Sequence, residues 1–212
     1  MKYLISFLLL LVASAGISQT KDQNAIKLLD EVSAKTKAYK AIKAEFSYTM
    51  ENKQAKINEE KSGSLLISGD KYRLTIVGQT VISDGKTIWT YIKESNEVQI
   101  NSPDNKDDVM TPSKLLSSYN ENYRSRIIHD KNQTDPNVET LELIPNKVKN
   151  IIRAILSIDK TKKQVKSFAL YDKNGNIFTY KVTKFIPDAP VTAADFSFDA
   201  KQFPGVEVTD MR

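Results

Sequence analysis

The residues with types suited to chemistry are few and scattered. His129 is the single histidine, and there is no cysteine. A lone histidine supplies neither the ligand cluster of a metal centre nor the partners of a histidine-based triad. Its expected place is a structural or surface position near the end of a strand. Gly85-Lys86-Thr87 resembles the end of a phosphate-binding loop. Such a loop needs a glycine five positions before Gly85 and opens a helix. Thr80 stands at that position, and the tripeptide falls between two strand-like runs. Asp107-Asp108 and Glu59-Glu60 pair carboxylates, but acid–base work needs carboxylates held at separated pKa values in a cleft. Their polar neighbours predict solvated charge. Lys160-Thr161-Lys162-Lys163, the densest basic run, reads as a turn. The expectation is no enzyme, no cofactor and no metal. What remains is a cluster of rings, Phe46, Tyr48, Tyr72, Trp89 and Tyr91, which pattern alone leaves open between an ordinary core and a ligand-lined cavity.

The elements that would position these rings follow from periodicity. Ile26, Leu29, Val32, Thr36, Tyr39 and Ile42 recur at three- and four-residue steps, which predicts an amphipathic helix over 22–43 with Asp22 as its cap. The period then becomes two. Phe46, Tyr48 and Met50 alternate with polar residues. Ser64–Ser68 and Lys71–Val77 flank Gly69-Asp70, a hairpin signal. Tyr72, Leu74 and Ile76 share one face of their strand, with Lys71, Arg73 and Thr75 opposite. Ser83-Asp84-Gly85-Lys86 turns into Thr87–Ile92, where Ile88 and Ile92 face one way and Trp89 and Tyr91 the other. That strand is expected to be covered on both faces. Ser95-Asn96 leads into Glu97–Ile100. A polar loop follows, then Thr111-Pro112-Ser113-Lys114 opens a short helix with Leu115, Leu116 and Tyr119 on its apolar side. Strands resume at 123–128, 138–144, 151–158, 165–171 and 177–185. Phe196 and Phe198 alternate in the tail. So long an antiparallel series must curl or close. The expected fold is mainly β, an unclosed antiparallel barrel with an N-terminal helix and an inserted lid helix.

The ends bound the setting. Met1-Lys2-Tyr3, the apolar run Leu4–Ala13 and the small residues Ser14, Ala15, Gly16 and Ser18 predict a secretory signal peptide over 1–18, with Ala15 as the other cleavage candidate. The apolar run is short of the ~20 residues a span needs. Residues 19–212 then form one domain, expected to be periplasmic and monomeric. Without Lys2 the chain has 30 basic against 26 acidic residues, a net charge of +4. That mild bias suits anionic lipid or an acidic partner. Basic and aromatic residues are not interleaved as in a nucleic-acid module. With no cysteine behind the signal peptide, lipid would be cargo and not a covalent anchor.

Three stretches resemble the LolA-type outer-membrane lipoprotein carriers. They are the helix running into Ile42-Lys43-Ala44-Glu45-Phe46-Ser47-Tyr48, the segment Val81-Ile82-Ser83-Asp84-Gly85-Lys86-Thr87-Ile88-Trp89-Thr90-Tyr91, and Ala193-Ala194-Asp195-Phe196-Ser197-Phe198 followed by Gly205-Val206-Glu207-Val208-Thr209-Asp210. The middle one is the most specific. The resemblance implies an apolar cavity between sheet and lid that takes the acyl chains of lipoproteins. It implies an inner-membrane ATP-driven lipoprotein-releasing transporter as donor and an outer-membrane acceptor. The expected acyl-binding residues are Phe46, Tyr48, Tyr72, Leu74, Ile76, Trp89 and Tyr91 on the sheet and Leu115, Leu116 and Tyr119 on the lid. Many members carry a lid-latching arginine in the turn after the second strand. Here Gly69-Asp70-Lys71 occupies it, with Arg73 nearby but out of position. A carrier of another acylated lipid or pigment precursor, or a periplasmic lipoprotein-sensing regulator, are the alternative readings.

Burial of a methylene contributes about 0.8 kcal/mol. Three chains of roughly 15 methylenes would give about 36 kcal/mol on that figure, beyond the roughly 18–21 kcal/mol at which non-covalent affinity saturates. The membrane competes for the same chains, so a carrier needs only a small net preference. An incompletely closed, adaptable site is expected.

Overall fold

The computed structural model describes residues 22–103, 122–129, 133–147 and 150–212. The expected signal peptide over 1–18 and the expected lid helix with Leu115, Leu116 and Tyr119 lie outside the described residues.

The chain opens with α1 (Gln23–Ala38). A first meander follows: β1 (Ile42–Asn52), β2 (Ile57–Ser68), β3 (Lys71–Ile76), β4 (Gln79–Ser83), β5 (Ile88–Ile92) and β6 (Glu97–Asn101). A second comprises β7 (Tyr123–Ile128), β8 (Val138–Pro145), β9 (Ile151–Asp159), β10 (Gln164–Asp172) and β11 (Ile177–Pro187). Two 3-10 turns, Ala193–Phe196 and Ala200–Gln202, precede β12 (Glu207–Asp210). β1 pairs with β11 and joins the meanders into one 12-stranded sheet, in the order β12-β6-β5-β4-β3-β2-β1-β11-β10-β9-β8-β7. β12 and β7 are the two edges, so the barrel is not closed.

The helix ends at Ala38, earlier than expected, and Ile42 already belongs to β1. Its buried stripe is Ala25, Leu28, Leu29 and Val32, at the i, i+3, i+4, i+7 spacing of one helical face. The stripe packs on Tyr123, Leu141, Leu143, Ala154, Leu156, Ile158, Phe168 and Leu170. These residues share one face of β7–β10 through the antiparallel register. That face is called the inner face below. Among the described residues, no helix is long and apolar enough to cross a membrane.

Asp22 fixes the start of α1. One carboxylate oxygen accepts hydrogen bonds from the backbone N–H groups of Asn24 (3.0 Å) and Ala25 (3.2 Å). The other accepts from the N–H of Ile127 at 3.0 Å, so the helix cap is also tied to β7. The Ile127 N–H, and secondly those of Ala25 and Asn24, hold the Asp22 carboxyl below the ordinary 3.8 against the opposing effect of burial. The stability it contributes is therefore present above pH 3.8 and lost as pH falls through its lower folded value. Asp22→Ala is expected to cost about 1–2 kcal/mol, and its stability deficit should shrink in acid. Urea melts of both proteins at pH 7 and pH 3 measure this; an equal deficit at both would contradict it.

The outer face carries its own buried polar group. Glu142 on β8 is buried and accepts hydrogen bonds from Arg126 Nε (2.6 Å) and Arg153 Nη1 (3.4 Å). Arg153 also lies over the Tyr171 ring, 4.0 Å from its centroid. This triad neutralises a buried carboxylate, which would otherwise be strongly destabilising.

Candidate functional site

The inner face divides into two halves. On β7–β10 it is sealed by α1. On β2–β5 no described element lies over it. The register carries one face across these strands without interruption. Ile42 of β1 stands opposite Ile67, which stands opposite Tyr72; Ala44, Leu65 and Leu74 align likewise. Leu74 then meets Val81, and Tyr72 meets Ser83, which faces Ile88. Gln79, opposite Ile76, faces Ile92. The result is an open, largely apolar face of Leu65, Ile67, Tyr72, Leu74, Ile76, Val81, Ile88 and Ile92, each half-buried, with Gln79, Ser83 and Thr90 among them; it is called the groove below.

Phe46, Tyr48 and Tyr180 form the seam between the open and sealed halves. Phe46 is 7% exposed and its ring lies over Gly63 on β2. Tyr48 and Tyr180 are cross-strand partners, with ring centroids 5.0 Å apart. Phe168 stacks on Tyr180 at 4.5 Å with an interplanar angle of 5°. Burial, and secondly the neighbouring Tyr48 hydroxyl, push the Tyr180 phenol up to about 12. Burial also pushes Tyr48 and Tyr72 upward.

The structure thus brings Phe46, Tyr48, Tyr72, Leu74 and Ile76 together on the inner face. It places Trp89 and Tyr91 on the outer face. Trp89 pairs with Ile82 and Ile100, and Tyr91 packs against Phe203 (4.4 Å) and Phe198 (6.1 Å). Neither ring lines the groove, and Tyr91 holds the C-terminal segment on the back of the sheet. In the tail, Ala193–Phe196 is a 3-10 turn that buries Phe196. Ile88 and Ile92 of β5 line the open side and are half-buried; the lid helix expected to cover them lies outside the described residues. Sequence reasoning missed Leu65, Ile67, Val81, Ile88, Ile92 and Tyr180 as groove residues. His129 is exposed just after β7, and Lys160-Thr161-Lys162-Lys163 forms the β9–β10 turn.

Arg73 also belongs to the outer face. Its Nε donates to the Asp195 carbonyl at 2.7 Å and its Nη2 to the Ser197 carbonyl at 3.3 Å. It clamps the 3-10 turn to β3, facing away from the groove. Arg73→Ala is expected to weaken local protection of 193–210 by about 1–2 kcal/mol. Amide hydrogen exchange would read this; unchanged protection there would contradict it.

The most specific sequence stretch is built around a turn. Asp84 Oδ1 accepts from the backbone N–H groups of Lys86 (2.8 Å) and Thr87 (2.7 Å), and Ser83 Oγ accepts from that of Gly85. Burial works against the Asp84 charge, but these backbone donors together keep its carboxyl below the ordinary value. Gly85 has φ +90, which requires glycine. The motif therefore sets the β4–β5 connection and with it the face that Ile88 presents.

Two hollows lie elsewhere. One, of about 250 Å³, sits beside α1 among Lys27, Glu31, Glu139, Lys160 and Lys163. Four of these five charges are paired, Lys163 with Glu31 and Lys160 with Glu139. The other, of about 200 Å³, is lined by Lys43, Ser64, Leu65, Leu66, Arg73 and Asp195. Neither has the continuous apolar lining of the groove.

The family "Outer membrane lipoprotein carrier protein LolA" matches residues 37–199, which span both meanders and the clamped turn. The chain belongs to this family. Its fold is similar to that of an uncharacterized conserved protein from Thermus thermophilus, at 15% identity and a TM-score of 0.58, covering 89% of this chain and 100% of that one. A putative outer membrane lipoprotein-sorting protein domain from Vibrio parahaemolyticus has 15% identity and a TM-score of 0.47, covering 82% of this chain and 96% of that one. A LolA superfamily protein from Nitrosomonas europaea has 10% identity and a TM-score of 0.44, covering 82% and 97%. No curated protein matches this chain in sequence. LolA-type members share a fold for binding and carriage, and the open groove is the feature of this chain that suits it.

Proposed function

We propose that this protein is a periplasmic carrier that binds the acyl chains of lipoproteins in the β2–β5 groove and moves them from the inner to the outer membrane. The observation that carries the reading is the half-buried, largely apolar face of Leu65, Ile67, Tyr72, Leu74, Ile76, Val81, Ile88 and Ile92, to one side of an α1-sealed core. A soluble protein rarely leaves so continuous an apolar face without an occupant. The aliphatic side chains that dominate the groove suit transfer of hydrocarbon out of water. Its openness suits a carrier that must release as well as bind. An inner-membrane ATP-driven transporter would supply the cargo and an outer-membrane acceptor would take it.

Depletion of the protein is expected to leave lipoproteins in the inner membrane, read by membrane fractionation. Normal sorting in a strain without a paralogue would overturn the reading. A second reading, carriage of another acylated lipid, is favoured by one observation. The turn Gly69-Asp70-Lys71 carries no arginine, and Arg73 is committed to the outer face. Mass spectrometry of detergent-free protein separates the two by showing either a lipoprotein or a free lipid.

A further inference from the structure

The carriage of hydrocarbon leaves one part of the inner face unused. Tyr48 and Tyr180 stand opposite each other on β1 and β11, at the edge of the groove. Their rings are fixed by mutual contact and by the Phe168 stack. Among the described residues, neither hydroxyl has a hydrogen-bond partner. Neither is sealed off, since Thr140 Oγ1 is the buried side-chain oxygen found without a partner. The rows of Ile76, Leu74 and Tyr72 on β3 are apolar, and so is the next row on β1 and β11, Met50 opposite Phe178. On β2, Lys61 stands opposite Tyr48 in register and pairs with Glu59 at 3.1 Å. The two hydroxyls are therefore polar tips set in an apolar face, with a charged pair beside Tyr48 on β2.

An acyl chain laid in the groove would remove water from these hydroxyls. A phenol so covered needs an acceptor, because a buried donor left unsatisfied is costly. A methylene chain offers none. An ester or amide carbonyl offers an acceptor and no competing donor. Burial keeps both phenols protonated well above neutral pH, so both remain donors. We propose that Tyr48 and Tyr180 donate hydrogen bonds to the carbonyl oxygens that link acyl chains to their cargo. The site would thereby select ester- or amide-linked acyl groups over bare alkyl chains. This rests on the groove being the acyl site, and it adds the linkage chemistry that the groove recognises.

The test compares two fluorescent glycerol probes of equal chain length, a diacyl ester and a dialkyl ether, titrated into the purified protein. The unsubstituted protein is expected to bind the diester about tenfold more tightly. Tyr48→Phe with Tyr180→Phe keeps the rings and is expected to erase the preference by weakening the diester alone. Equal affinity of the unsubstituted protein for both probes, or a preference that survives the double substitution, would overturn the proposal while leaving the groove reading intact. Failure of both probes to bind would overturn the groove reading and this one with it. If the double variant melts at a markedly lower temperature, Tyr48→Phe at its half-exposed position carries the test, with the expected loss of preference about half as large on a logarithmic scale.

Discussion

Leu74→Glu is expected to reduce acyl-probe binding at least about a hundredfold while leaving the protein folded. Leu74 lies in the middle of the groove, with Leu65 of β2 and Val81 of β4 as its cross-strand neighbours. It is half-buried in the empty protein, so a glutamate there can still reach water. An acyl chain would cover it. A carboxylate under hydrocarbon with no partner loses its hydration, at a cost of several kcal/mol, and about 3 kcal/mol already corresponds to a hundredfold. Ser47→Glu is the matched control. Ser47 faces outward on β1 opposite Lys181, so the same charge is added away from the groove. Equilibrium titration with a fluorescent acyl probe and a thermal melt of each variant decide the matter. Binding by folded Leu74→Glu at the level of Ser47→Glu would remove the groove from the function.

The reason this face was only partly legible in the sequence lies in one short strand. Alternation within β3 correctly grouped Tyr72, Leu74 and Ile76 against Arg73 and Thr75. Alternation within β5 correctly separated Ile88 and Ile92 from Trp89 and Tyr91. Relating the two strands requires the register of what lies between them. Gln79–Ser83 is only five residues long, follows directly on Gly78 and mixes polar with apolar residues. Its period-two signal is too short to read as a strand. With β4 unrecognised, the face shared by β3 and β5 could not be followed, and aromatic type pulled Trp89 and Tyr91 into the expected site. The partners of Tyr91, Phe198 and Phe203, are more than 100 residues away, a contact no local pattern encodes. β12 escaped for a related reason. It is four residues long and pairs parallel with β6, through a connection that spans about half of the chain. The longer strands of the second meander were legible because both of their faces alternate over eight or more residues against one sealed core.

The opening helix shows the opposite error. Its period was read correctly but extended too far. Tyr39 and Ile42 continue the three- and four-residue spacing of Val32 and Thr36, yet the chain leaves helical geometry at Tyr39. The pattern runs on because Ile42 is buried for another reason, as the first inward residue of β1. Tyr39 likewise meets Phe185 of β11 at 5.9 Å instead of joining the helix stripe. Coincident burial in consecutive elements cannot be told from one continuous face without knowing where the helix stops. The stripe that α1 actually buries begins with Ala25, a residue too small to weigh in a hydrophobic count, and it is set by the capping of Asp22.

The last expectation concerns Gly63, where the seam of the two halves is made. A Cβ at this position would clash with Phe46 Cζ, and would stand 2.7 Å from Phe46 Cε2 and 2.8 Å from the Thr75 carbonyl oxygen. The glycine is therefore needed for space: it lets the Phe46 ring lie flat across β2. Phe46 cannot swing away freely, because Tyr180 stands 5.8 Å from it, centroid to centroid, and is itself held by Phe168. The Thr75 oxygen belongs to the backbone of the adjacent strand, so relief on that side means widening the β2–β3 ladder. Gly63→Ala is expected to cost about 2–3 kcal/mol, or roughly 5–10 °C in Tm. It should also weaken acyl binding, since the displaced ring has only the groove to enter. Phe46→Leu shortens the clashing side chain while keeping its apolar character. Introduced first, it should lower the cost of Gly63→Ala by at least about 1 kcal/mol, a coupling that a double-mutant cycle reads directly. Full additivity of the two substitutions would mean that the Thr75 backbone alone sets the limit, and the Phe46 ring would then have no part in fixing the seam.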